Sequence, residues 1–338
     1  MTDASFVPLV EATRGGHTES IHHGAVAVVN ARGELLYHAG DPDFLTFTRS
    51  TIKPFQALPF LQDGGHEKFG FESRELALLC ASHSGEAMHT ETVERMLRKA
   101  GCDEHHLRCG CHVPLYYPTH DKAPDAGASF NQLHNNCSGK HAGFLAWCIQ
   151  HGKPLDNYVE PAHPLQQSVR QSLAEVTGLA PDAMPMGIDG CSAPNFALPL
   201  SRLALAYSRL AQGDRDPVYG SVMGDLFDAM TGHPELVSGS GRSDLAFMQT
   251  APGDWVAKIG AEAVQAIGIR SMGIGIAIKI ADGNTRALLP AAVAVLKQIG
   301  AIDGVDDTPL ASWASPQINN CRGVHTGGLR AVFTLAGH

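Results

Sequence analysis

The 338-residue chain predicts an α+β fold, with one sheet formed from N- and C-terminal strands and helices packed on it. Three observations point there. β-rich runs cluster near both ends, helix-patterned segments mass between them, and no alternating strand–helix series suggests a parallel sheet. No internal repeat or low-complexity linker divides the chain, so residues 1–338 read as a single domain with a helical subregion around 70–235.

The elements follow in order. AVAVVNARGELLYHAG (25–40) places two β-rich runs around an Asn-Ala-Arg-Gly turn, a hairpin. RSTIKPFQALPFL (49–61) reads as helical, because Pro54 suits a first turn, where its missing N–H would be unpaired anyway. Ser50 then stands at or near a helix N-terminus. ESRELALLCAS (72–82) is a helix with Ser73 as its cap, and HTETVERMLRKAG (89–101) is a helix ending in basic residues before Gly101. SFNQLHNNCSGK (129–140) is polar and turn-like and leads into a helix, HAGFLAWCIQHG (141–152). HPLQQSVRQSLAEVTG (163–178) has proline at its start and glycine at its end, which is helix punctuation. PMGIDGCSAPNF (185–196) reads as a loop. Helices follow in SRLALAYSRLAQG (201–213) and DPVYGSVMGDLFDAMTG (216–232). Strands return in DWVAKIGAEAVQAIGIR (254–270) and GIGIAIKIADG (273–283). NTRALLPAAVAVLKQIG (284–300) is a helix, and GLRAVFTLAG (328–337) is a closing strand.

Composition narrows the function. Apolar residues at 44% and charged residues at 17% suit a folded core and exclude a disordered chain. A formal charge of −9 argues against nucleic acid and anionic membranes as partners. The start, MTDASFVPLVEATRGG, lacks a secretory pattern, and the longest apolar candidate, ALLPAAVAVL (287–296), is too short to span a bilayer. A cytoplasmic protein acting on a small molecule is expected. Its eight cysteines are then core fillers, reactive thiols or ligands rather than a disulfide framework.

Several motifs could carry chemistry. Ser50-Thr-Ile-Lys53 spaces a hydroxyl and an amine three residues apart, on one face of a helix, where a neutral lysine could take the serine proton. Taken alone, the motif is weak. Ser82-His-Ser84 and Lys258-Ile-Gly260 follow it in the chain order of the S-x-x-K, S-x-N and K-T-G elements of penicillin-recognising enzymes, without matching the later two fully. A capping Ser82 and a solvated Lys258 are the plainer readings. Cys137 in NNCSGK and Cys191 in GIDGCSAP lie in polar loops, unlike Cys80 and Cys148 inside apolar helices. Lys140 beside Cys137 favours a thiolate, which serves either as nucleophile or as metal ligand. NNCSGKH fails the phosphate-loop pattern at its first glycine and last position. Cys109-Gly-Cys111-His112 has no second pair at zinc-finger spacing and reads as a turn with incidental thiols.

Together these pieces resemble a known family, the rhizobial-type L-asparaginases, or asparaginase II family. The matching stretches are ESIHHGAVAVV (19–29), RSTIKPFQALP (49–59), CASHSGE (80–86), HNNCSGKHAGFL (134–145), GIDGCSAPNFALPL (187–200) and KIGAEAV (258–264). The resemblance implies a fold like those of serine β-lactamases and serine-dependent glutaminases. It implies two Ser–Lys tandems, Ser50 with Lys53 and Ser82 with Lys258, as catalytic groups. It implies a zinc ion held by Cys137, Lys140 and Cys191, with Asp189 close by, and a homodimer. Ser50 would attack the side-chain amide of L-asparagine, with Arg49, Lys140, His141 and Asp189 as candidate substrate contacts. Two other readings stand beside it. One is a glutaminase or a β-lactam-directed serine hydrolase on the same fold; the other is a non-catalytic zinc- or thiol-based ligand-binding protein.

Overall fold

In a computed structural model, which describes residues 5–338, strands from the two ends of the chain join in one sheet. The described residues form two compact units. The first comprises the chain up to Thr51, Leu198–Ala211 and Gln249–His338. It carries a nine-stranded sheet whose main path runs Gln317–Asn319, His325–Ala331, Val7–Arg14, His17–Asn30, Ile274–Ile280, Val264–Ile269, Trp255–Gly260. Leu35–Ala39 pairs with His17–Asn30, and Ala336–Gly337 pairs with Leu35–Ala39. The pairings are antiparallel throughout. The expected closing strand lies beside the first, with Val10 opposite Ala331.

The central strands explain why a sheet forms here. Ala25–Val29 and Ile274–Ile280 are buried at every position rather than at alternate ones, which requires cover on both faces. Two helices provide apolar surface, Leu200–Gln212 and Thr285–Gln298. The first lies unusually close to the sheet. Gly268 and Gly275 are cross-strand partners; a Cβ on Gly268 would stand 2.5 Å from the Tyr207 carbonyl oxygen, and one on Gly275 would collide with that of Ala204.

The second unit, Ile52–Ala197 with Gln212–Met248, is mainly helical. Its longer helices are Ala87–Lys99, Ser138–Gln150, Pro164–Thr177 and Ser221–Gly232. Ser138–Gln150 is buried all round from Ser138 to Cys148, the pattern of a helix enclosed by others. Gly139 and Gly143 let it touch the Ser73–Leu79 helix, since a Cβ at either would collide with the Leu78 carbonyl or the Leu79 side chain. Lys140 and His141 are thereby carried into the interior.

Four local readings are corrected. The segment after Ser50 is a 3-10 turn, Arg49–Ile52, followed by two short helices, Lys53–Gln56 and Leu58–Gln62. Glu72, not Ser73, precedes the next helix in extended conformation, with its N–H donating to the Glu75 carboxylate at 2.6 Å. The helix after NNC begins at Ser138, three residues early. The loop at 185–196 contains two paired strands, Met186–Ile188 and Pro194–Pro199, because the chain returns on itself about the Asp189–Ala193 turn. No helix among the described residues is long and apolar enough to cross a membrane.

The glycine contacts are testable by urea denaturation. Gly275→Val should lower the unfolding free energy by about 2 kcal/mol or more, the cost of overpacking against backbone. Gly232→Ala, in a helix with open space around it, should leave stability unchanged or slightly raised.

Candidate active site

Ser50 sits in a turn that the first unit holds from several sides. Arg49 adopts a left-handed conformation with φ +51°, a strain of about 1–3 kcal/mol for a non-glycine residue. The surroundings impose it. The Thr51 N–H and hydroxyl both donate to the Thr48 carbonyl, at 3.2 and 2.7 Å. The Tyr207 hydroxyl donates to the Thr51 carbonyl at 2.7 Å, and Arg49 stands 3.8 Å from the Glu262 carboxylate. The strand Trp255–Gly260 passes against this turn because Gly260 has no side chain. A Cβ there would lie 2.9 Å from the Thr48 carbonyl and 3.3 Å from both Arg49 Cβ and Thr51 Cγ2. Alternate strand residues share a face, so Lys258, two positions earlier and fully buried, leaves the sheet on the side where the Ser50 turn rests. Lys258 is therefore not the solvated residue of the plainer reading. The helix after Ser50 has only four residues, Lys53–Gln56, so its dipole contributes little at the serine.

In the second unit, Lys53 is 1% exposed and Ser82 4%. Lys53 Nζ donates to the Ala81 carbonyl at 2.5 Å, the Asn136 carbonyl at 3.3 Å and Ser82 Oγ at 2.9 Å. Carbonyls only accept, so they take two amine protons in either protonation state. The third position faces Ser82. An ammonium donates a proton there, and a neutral amine offers its lone pair to the serine hydroxyl. Lys53 and Ser82 can exchange a proton without either moving. The Ser82 N–H is spent on the Val237 carbonyl at 2.9 Å, which removes it as an oxyanion donor. Ser50 is half-buried where Ser82 is buried, so Ser50 is the more accessible of the two.

Cys137, Lys140, His141 and Cys191 form a buried cluster. Lys140 Nζ donates to Cys191 Sγ at 3.1 Å. A bond from Cys137, together with the nearby Lys140 charge, holds the Cys191 thiol far below its ordinary value. The same bond and burial push Cys137 well above its own. The pair is thus one thiol and one thiolate. Burial by itself lowers the Lys140 ammonium, but the charges of Cys191, Cys137 and Asp189 and the bond to Cys191 together outweigh it, and the group is held above the ordinary lysine value. Asp189 adds to that field. Its loop closes through Asp189 N–H to the Ala193 carbonyl and Ser192 N–H to the Asp189 carbonyl, both 2.9 Å. His141 Nδ1 meets the Tyr158 hydroxyl at 2.7 Å. Its Nε2 faces Cys191, is buried, and makes no formed hydrogen bond. An imidazole anchored through one nitrogen with the other left over is the arrangement of a metal-binding histidine. Two thiols and an amine suit a borderline-soft divalent ion. Among the described residues, no group of three or more His, Cys, Asp or Glu side chains could hold a metal, so a site here depends on Lys140.

Asn136 and His83 join the two clusters and were not singled out from the sequence. The Asn136 carbonyl accepts from both Lys53 Nζ and the His83 N–H, at 3.3 and 3.2 Å. Its side-chain oxygen lies 3.2 Å from Cys137 Sγ, an alternative acceptor for the one thiol proton that otherwise goes to Cys191. His83 stacks on His89 with centroids 5.0 Å apart, and burial drives its pKa well down. Nδ1 accepts from the Gly85 N–H, so the proton is on Nε2 and is donated to Ser138 Oγ at 2.8 Å. The Ser-Gly run at 238–241 was also overlooked. It backs the Ser82 segment, with Ser84 Oγ donating to the Ser238 carbonyl at 3.0 Å. Its clue was a glycine-rich stretch following a short helix, Pro234–Val237. Cys109 is buried, which pushes its thiol up to about 12; it is inert, in keeping with the reading of Cys109–His112 as a turn.

Comparison with known proteins assigns the chain to a family. The family model for L-asparaginase II matches residues 10–331. No curated protein matches the sequence. Solved structures similar to this chain include a β-lactamase from Mycobacterium bovis, at 12% identity and a TM-score of 0.36, covering 81% of this chain and 94% of that one. Another is a simvastatin synthase mutant from Aspergillus terreus, at 14% identity and 0.37, covering 81% and 93%.

The turn geometry predicts that Gly260→Ala displaces Ser50 without unfolding the protein. Labelling of Ser50 by a fluorophosphonate probe should fall about tenfold or more, since small misplacements of a reacting group are costly. Unchanged labelling would show that the close approach at Gly260 does not position the serine.

Proposed function

We propose that this chain, which belongs to the L-asparaginase II family, hydrolyses L-asparagine to L-aspartate and ammonia through a serine acyl-enzyme. The observation that carries the chemistry is the buried Lys53–Ser82 pair, an amine and a hydroxyl bonded at 2.9 Å. Ser50 Oγ attacks the side-chain amide carbon as its proton passes by way of Ser82 Oγ to the Lys53 lone pair that faces that hydroxyl. Collapse of the tetrahedral intermediate breaks the C–N bond, and the proton, handed on through Ser82, leaves with ammonia. Water then attacks the aspartyl ester, the C–O bond to Ser50 breaks, and the hydroxyl is restored. Each serine–lysine step is ordinary base-assisted nucleophilic catalysis. Lys258 assists Ser82 as the second tandem. In this reading Arg49 meets the substrate α-carboxylate and Asp189 its ammonium, while His141 belongs with the thiols.

The donor set at Cys137, Lys140 and Cys191 fits Zn²⁺, with His141 Nε2 alongside. When bound, the ion would supply a fixed positive charge that favours the deprotonated forms of its ligands. The chain's own contribution is to bring the donors together and to keep water out. The reading further includes a homodimer working in a reducing compartment such as the cytoplasm, in keeping with eight free cysteines.

Two measurements test this. Ammonia release from asparagine should exceed that from glutamine, ring opening of a β-lactam followed by its ultraviolet absorbance should be slower still, and Ser50→Ala should lower ammonia release by roughly 10³-fold or more with folding intact. Mass spectrometry should find the aspartyl group on Ser50. Acylation of Ser82, or turnover surviving in Ser50→Ala, would assign the nucleophile elsewhere. For the metal, the sign follows from the protonation states. The thiol pair keeps one proton between Cys137 and Cys191, and Lys140 has one to lose, so binding at neutral pH should release about two protons per zinc, read with an indicator dye in weak buffer. Binding without proton release would remove Lys140 and Cys137 from the ligand set.

A further inference from the structure

A cavity of about 410 Å³ opens beside the Ser82 segment, lined by Gly85, Glu86, Ala87, Pro114, Tyr116, Tyr117, Phe130 and His134. All of it lies in the second unit. Its wall is a continuous chain of rings. Tyr116 and Tyr117 meet edge-on at 5.6 Å, Tyr117 and Phe130 at 5.8 Å, and Phe130 and His134 at 5.3 Å. Each of these residues is half-buried, so part of each stays open to solvent.

The charges in this cavity are one-sided. Glu86 brings the one acidic side chain among the lining residues, and none of them is a lysine or arginine. The Glu86 carboxylate is fixed by the Ser240 N–H and hydroxyl, at 3.0 and 2.8 Å. Glu86 also caps the helix Ala87–Lys99 and accepts from a first-turn backbone N–H, so its donors are all neutral and no cation among the described residues is bonded to it. Burial lowers the His134 pKa, which keeps that imidazole neutral near pH 7. An ammonium has already found this wall from the protein itself: Lys122 Nζ stands 5.4 Å from the centre of the Tyr116 ring and 3.2 Å from its hydroxyl.

Aromatic faces attract cations through the ring quadrupole, and a carboxylate without a bonded cation adds to that attraction. The volume lies within the range of small-ligand pockets. We propose that this cavity is a binding site for a small organic ammonium with a short apolar body, seated against Tyr117 and Phe130 with its charge toward Glu86. The site uses none of the serine, lysine or thiol groups of the hydrolytic reading and stands whether or not that reading holds.

The test compares choline with 3,3-dimethyl-1-butanol, its uncharged isostere, by ligand-observed NMR titration of the full chain. Choline should bind saturably at millimolar concentration and the isostere about tenfold more weakly, the difference expected of cation–π and carboxylate attraction. Glu86→Gln and Tyr117→Leu should each weaken choline several-fold while leaving the thermal melt in place. If Glu86→Gln disturbs folding, Phe130→Leu serves as the second cavity variant. Equal binding of the two probes, no saturable choline binding, or choline binding unchanged in the folded variants would overturn the proposal.

Discussion

Lys53 is the constraint on which the rest of the candidate site depends. An amine removed from water must find every partner inside the protein, because an unmatched buried charge or donor costs several kcal/mol. Three acceptors answer that demand, two backbone carbonyls and Ser82 Oγ. The carbonyls belong to two separate segments, at Ala81 and Asn136, so the lysine can be satisfied only if those segments are held together. The glycine contacts between the Ser73–Leu79 and Ser138–Gln150 helices do that holding. Proton exchange between Lys53 and Ser82 follows from how the amine is satisfied.

The same demand links the amine to the thiols. Asn136 presents its carbonyl to Lys53 and its side-chain oxygen to Cys137. Next to it, Lys140 and Cys191 form a second buried amine–sulfur contact. Lys53 has three acceptors around it and Lys140 has Cys191 beside it, so the interior tolerates both. His83 and His89 meet their needs as neutral rings, which avoids adding positive charge to a region already holding two lysines. A buried cluster of this kind is rigid, because each member's partner is also another member's.

The Ser50 turn shows another way of setting geometry. Arg49 is strained, and the strain persists because hydrogen bonds from Thr51 and Tyr207 and the bare backbone of Gly260 leave the turn no alternative. The sheet therefore does more than close the fold. Its strand Trp255–Gly260 presents Gly260 to the turn and Lys258 on the same face, and Gly268 and Gly275 admit the helix that carries Tyr207. Positions without side chains thus decide where the serine stands.

The sequence by itself determined the strands at both ends, the long helices and most of their stops, because periodicity, proline and glycine act over a few residues. It also determined which residue types could react, and Ser50, Lys53, Ser82, Cys137, Lys140, Cys191 and Lys258 all stood out from their local motifs. The strands at Met186–Ile188 and Pro194–Pro199, the shortened helix after Ser50 and the cap at Glu72 were decided by pairing and packing that no local window contains. The same holds for partners. Lys53 lies three residues from Ser50 and twenty-nine from Ser82, yet its amine bonds to Ser82, and His141 sits with the sulfur of Cys191. Spacing along a chain says which groups can share a turn. Only tertiary structure, by removing water from those groups, decides which of them must satisfy one another.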